Sequence, residues 1–178
     1  MSDVSVHDSD EQLVAELHRL GVRHLSRSST DTPDTPLSPS DLIAGLAQSP
    51  DARIRGALIL LFLRHPEFAE EVPLLASQLS RADALTLKMH YQAAVYLQRE
   101  LKPELRPMLP NWRRLPDLFA GEFGLPSASS IPPLPQSSLP ALAALGKVHT
   151  RLSGREINWA GSYRQNIPRF LNLLRRDS

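Results

Sequence analysis

The stretch that most limits the fold is SPDARIRGALILLFLRHPE, residues 49–67. Proline is tolerated in the first turn of a helix but breaks its interior, so Pro50 and Pro66 bracket one helix between them. Ser49 is the expected cap, Pro50 the first helical position, and Asp51 lies on the positive end of the helix dipole. From Gly56 to Leu63 the sequence is apolar on every side. A helix of that kind has no face for water and must be enclosed by other helices.

The rest of the chain supplies them. SDEQLVAELHRLG spaces Ser9 and Gln12 as a capping box, places Leu13, Val14, Leu17 and Leu20 on one stripe, and ends at Gly21. A short helix is expected to begin near Ser38 or Ser40. EFAEEVPLLASQLS predicts another, kinked or reopened at Pro73, and ADALTLKMHYQAAVYLQREL predicts the longest one. Nine of the 16 prolines fall between Pro103 and Pro140. Only short helical turns fit among them, yet Trp112, Leu115, Leu118, Phe119 and Phe123 make residues 102–126 apolar enough to wrap over a core. PSASSIPPLPQSSLP reads as an extended, polyproline-like linker. Two further helices follow, one closed by Gly154 and one with Asn158 as its candidate cap. Pro168 kinks the second or divides it.

No window alternates for long enough to predict a strand. The expected fold is all-α: a compact, irregular helical bundle with a tethered two-helix C-terminal arm. Its divisions are an acidic helix over 1–25, a flexible linker over 26–40, a helical core over 41–125, a Pro/Ser-rich linker over 126–140, and a basic amphipathic arm over 141–178. Residues 49–79 resemble a single HEAT-type helical repeat, with Asp51 and Arg55 in its opening turn, an alanine- and leucine-rich first helix and a shorter second one. The resemblance implies helix-hairpin packing and a protein-binding habit.

Charge divides the chain. Residues 1–35 hold seven acidic side chains against three arginines, and residues 141–178 hold seven basic against two acidic, within a formal net charge of +1. Such a dipole steers a charged partner or draws the two ends together. The absence of cysteine excludes disulfides, thiolate metal sites and cysteine nucleophiles, and suits a reducing cytosol. The N-terminus lacks the order of a signal peptide, and the longest apolar run is too short for a bilayer, so a cytoplasmic location without membrane association is expected.

Catalytic signatures are sparse. No two of the six histidines stand three or four residues apart, there is no phosphate-binding glycine loop, and the serines cluster in linkers that offer no rigid elbow. Neither metal nor cofactor is implied, and an enzymatic role is disfavoured. RLGVRH, with Arg19 and His24, resembles the arginine-to-histidine spacing of the HEPN ribonucleases. That resemblance implies an arginine holding phosphate and a histidine acting as base toward a 2′-hydroxyl.

The C-terminal stretch INWAGSYRQNIPRFLNLLRRDS is the strongest functional candidate. Trp159, Tyr163, Ile167, Phe170 and Leu171 recur at helical spacing as an apolar seam, and Arg164 and Arg169 flank it. Stacking platforms for nucleic acid interleave aromatic and basic residues, whereas here they segregate. The pattern predicts a seam laid into a groove of the same chain, a second copy or another protein. The leading expectation is a non-enzymatic module that binds and regulates a larger partner, in the manner of a bacterial antitoxin, adaptor or accessory subunit. The alternative is a nucleic-acid-binding accessory protein using Arg113, Arg114, Arg151, Arg155, Arg175 and Arg176. A HEPN-like ribonuclease is the third.

Overall fold

The computed structural model describes residues 3–23, 35–157 and 159–177. Helix α1 (Asp3–Arg19) begins six residues before the predicted capping box, so Ser9 lies within it. It ends as expected: Gly21 is left-handed (φ 77°), its N–H reaches His18 O at 3.0 Å, and Val22 N–H reaches Leu17 O at 2.8 Å. This paired arrangement satisfies carbonyls that the last turn leaves open, and it buries Val22 beside Leu17.

Helix α2 (Pro39–Gln48) takes its cap from Ser38, whose hydroxyl accepts from Asp41 N–H at 3.1 Å. It therefore takes in the last two positions of the expected 26–40 linker, of which residues 26–34 lie outside the described residues. Helix α3 (Ala52–Arg64) is capped by Asp51, not by Ser49. The Asp51 carboxylate accepts from Arg53 N–H at 2.8 Å, while Ser49 closes α2 and donates its hydroxyl to Asp10 of α1 at 3.1 Å. Every residue from Ala57 to Leu63 is buried, as an all-apolar helix requires. A 3-10 turn (Pro66–Glu71) leads into α4 (Val72–Gln78), with Pro73 opening its first turn.

Helix α5 (Arg81–Glu100) is the axis of the bundle. It packs against α2, α3 and α4, and its residues from Met89 to Arg99 are all buried. Four of these are polar: His90, Gln92, Gln98 and Arg99. His90 bonds Thr86 O within α5, whereas Gln92, Gln98 and Arg99 find partners in the proline-rich stretch that follows α6 (Lys102–Met108), surrounds α7 (Ala120–Phe123), and wraps over the bundle. A proline-broken segment cannot bond its own carbonyls in a ladder, so something else must donate to them. Tyr91 and Tyr96 hydroxyls donate to Pro116 O (2.9 Å) and Pro126 O (2.7 Å), and the Gln98 amide to Arg113 O (2.9 Å). Arg99 Nη2 donates to Leu115 O at 2.6 Å. The Gln92 amide donates to Asp117, which in turn accepts from Ala128 N–H.

The segment read as a polyproline-like linker contains a 3-10 turn (Ala128–Ser130) and is bonded to the bundle: Glu100 accepts from Gln136 N–H (2.9 Å), Ser138 N–H (3.0 Å) and the Ser138 hydroxyl. Helix α8 (Leu139–Ser153) lies on α5 and ends at left-handed Gly154. Helix α9 (Trp159–Asp177) is one 19-residue helix that continues through Pro168, and it packs on α8 and α6. Asn158, its expected cap, is outside the described residues. The architecture is an all-helical bundle, and no strand occurs among the described residues. None of the described helices is long and apolar enough to cross a membrane.

Candidate functional site

The apolar seam of the arm faces its own chain. Trp159, Ile167, Phe170, Leu171 and Leu174 are 2–8 % exposed and belong to the same cluster of buried side chains as α3 and α5. Trp159 is the pivot. Its indole meets the His90 ring of α5 edge-on at 4.9 Å and the His149 ring of α8 at 5.7 Å. Gly146 of α8 makes room for it, because a Cβ there would come within 3.2 Å of Ile157 O and 3.3 Å of the indole. Tyr163 and Arg164 belong to α9, but their side chains lie outside the described residues.

Among the described side chains of α9, the charged ones turned outward are all basic. Arg169, Arg175 and Arg176 are exposed, and Arg175 donates to Asn172 Oδ1 at 3.1 Å. Lys147, Arg151 and Arg155, on α8 and just beyond it, are exposed as well. Arg113 and Arg114 stand apart from these on the wrapped segment. Arg113 is paired with Glu70 at 2.6 Å, and the neighbouring Trp112 is half-buried beneath Arg106. Of the HEPN-like pair, Arg19 is bonded to Glu16 at 3.0 Å, and His24 lies outside the described residues.

A second arrangement was not expected from the sequence. The end of α2, the first turns of α3 and α5, and the end of α8 enclose a cleft of about 540 Å³ between core and arm. Arg55, Arg81 and Arg155 line it together with His90, His149 and a single carboxylate, Asp83. Arg55 is held in place by Nη1, which donates to Ser49 O at 2.7 Å and Pro50 O at 2.8 Å. Asp83 is turned toward the α5 cap, where its carboxylate accepts from the Ser80 hydroxyl at 2.7 Å. His149 is buried, and among the described residues its Nδ1 has no hydrogen-bond partner.

No family model, curated protein or solved structure matches this chain. The site must therefore be read from its own chemistry.

Burial lowers the His90 pKa to about 4, with Arg55 and His149 adding repulsion. Its Nδ1 lies 2.7 Å from Thr86 O, which can only accept, so Nδ1 carries the proton and Nε2 is the acceptor. Burial lowers His149 too, and Arg155 and Arg55 push it in the same direction. Both rings are neutral at pH 7, which leaves the arginines as the cationic groups of the cleft. A histidine lowered in the fold makes the protein acid-labile: below about pH 6.5 the unfolded chain takes up a proton that the native His90 refuses until about pH 4. Stability is expected to fall by about 2 kcal/mol from this group between pH 7 and pH 4.5. Urea unfolding at the two pH values checks it, and His90→Gln should lose less by that amount.

The convergence of Arg55, Arg81, His149 and Arg155 left no local trace in the sequence. These residues come from three helices and one loop, and no short spacing relates them. Register along each helix showed which side faces inward, not which helix ends meet.

Proposed function

We propose that the chain is a non-enzymatic interaction protein that regulates a larger partner through the outer face of its C-terminal arm. The carrying observation is the division of α9: Trp159, Ile167, Phe170, Leu171 and Leu174 are buried in its own bundle, while Arg169, Arg175 and Arg176 are left to solvent. The seam thus presents the arm, and the arginines make the contact. Guanidinium groups pair with carboxylates in a planar fork, so the complementary surface is an acidic protein face. Such contacts set the rate and selectivity of association more than its final strength.

The test is capture of partners from the native source by the full chain and by a variant carrying Arg169→Glu, Arg175→Glu and Arg176→Glu. These side chains are exposed, so the variant is expected to melt within a few degrees of the parent and to bind at least tenfold more weakly. Capture that survives nuclease treatment and disappears with the charge reversal supports the reading. Capture abolished by nuclease favours the nucleic-acid alternative, and capture indifferent to the reversal removes the arm from the account.

A further inference from the structure

We propose that the cleft between α5 and the end of α8 binds a phosphomonoester, held through its phosphate by Arg55, Arg81 and Arg155, with His149 Nδ1 as a further hydrogen-bonding partner. The charge of the lining comes first. Three arginines face one aspartate, an excess of two positive charges, and Asp83 already accepts a hydrogen bond from Ser80. A phosphomonoester carries between one and a half and two negative charges at neutral pH, so it balances that excess where a single carboxylate would not.

Geometry adds to this. Among the described residues no carboxylate forms an ion pair with Arg81 or Arg155. Arg55 is fixed by the carbonyls of Ser49 and Pro50 through Nη1, and among the described residues its Nε and Nη2 form no further hydrogen bond. A guanidinium already pinned in this way loses little freedom on binding. Arg81 begins α5, a 20-residue helix whose dipole favours an anion at that end.

The second observation is His149. It is 6 % exposed, lines the cleft, and leaves Nδ1 without a partner. A buried polar atom left unbonded is rare in a folded chain and invites a ligand that completes it. The ring is neutral, so its nitrogen can donate to a phosphate oxygen in one tautomer or accept from a singly protonated phosphate in the other.

Size and lining describe the rest of the ligand. At about 540 Å³ the cleft exceeds what a bare phosphate fills, and Leu85, Leu152 and Ile157 supply apolar wall for a small organic body. The residues that would hold the phosphate belong to both halves of the chain: Arg55 and Arg81 to the core, His149 and Arg155 to the arm. Occupancy would therefore clamp the arm onto the bundle. This inference stands apart from the docking face, which uses Arg169, Arg175 and Arg176.

The experiment titrates the full chain with inorganic phosphate, phenyl phosphate and benzoate at matched ionic strength, read by calorimetry and by the imidazole resonances of His149. Phenyl phosphate is expected to saturate one site and bind at least tenfold more tightly than benzoate, with phosphate between them. The His149 resonance should move along the same curve. The variant Arg81→Ala with Arg155→Ala changes two exposed side chains that form no ion pair among the described residues, keeps the fold, and should bind phenyl phosphate at least tenfold more weakly. Absence of saturable binding, equal binding of benzoate, or an unchanged affinity in the double variant would each overturn the proposal. Saturable binding with a stationary His149 resonance would overturn the part given to His149.

Discussion

Replacing Trp159 with alanine is expected to cost about 4 kcal/mol and to loosen the arm from the bundle, the larger of the two strongest effects anticipated for this chain. The residue is 3 % exposed and is wedged between two rings carried by different helices. Truncation removes a large apolar body and leaves a void that α5 and α8 cannot close, because each is held elsewhere along its length. Phe170, Leu171 and Leu174, three to four turns further along α9, stay buried only while the helix keeps its register. Urea unfolding should show the loss directly. Hydrogen exchange should locate it, with protection falling over 157–177 well before it falls over α3. A cost below about 1 kcal/mol would mean that the arm hardly depends on its tryptophan.

Gln98 is expected to give the second largest loss, about 3 kcal/mol on replacement by methionine, which keeps the volume and removes the polar ends. The side chain is 1 % exposed and makes three bonds at once. Its amide donates to Arg113 O, and its carbonyl oxygen accepts from Leu115 N–H at 2.8 Å and Arg99 Nη1 at 3.0 Å. Methionine would leave the Leu115 N–H and one end of a buried guanidinium without partners. Burial has already lowered Arg99 to about 10, so it is still charged at neutral pH and poorly placed to lose a bond. Tyr96→Phe, which removes the bond to Pro126 O, is expected to cost about 1 kcal/mol. The comparison by urea unfolding distinguishes a three-bond hub from a single tie, and equal losses would argue against the hub.

Helix α3 was legible in the sequence because nothing in it is ambiguous. Eight apolar residues between two prolines dictate both a helix and its enclosure. The all-helical class followed from the same kind of punctuation elsewhere. Helix α5 was harder to read, since His90, Gln92, Gln98 and Arg99 gave it the composition of a half-solvated helix. Gln98 and Arg99 meet carbonyls of the proline-rich segment that need donors, Gln92 meets Asp117, and His90 is covered by Trp159, partners that arrive only on folding. The cap of α3 shifted from Ser49 to Asp51 for a related reason: Ser49 was already committed to α1 and to the end of α2. The seam from Trp159 to Leu174 was identified by spacing as apolar and continuous, but spacing could not say that α5, α6 and α8 would cover it. The arginine-lined cleft required helix ends to meet, which no pattern along a single helix encodes.

The position of α8 and α9 over α5 also bears on how the chain is made. A ribosome releases α5 well before the residues that cover it, so the surface around His90 is bare until synthesis reaches the last helix. A nascent or shortened chain is thus a sticky intermediate, open to chaperones and to self-association. Cutting the protein at Leu125 would reproduce that state permanently. Charge reversal on the outer face of α9 leaves the cover in place, and it is the cleaner way to separate recognition from folding.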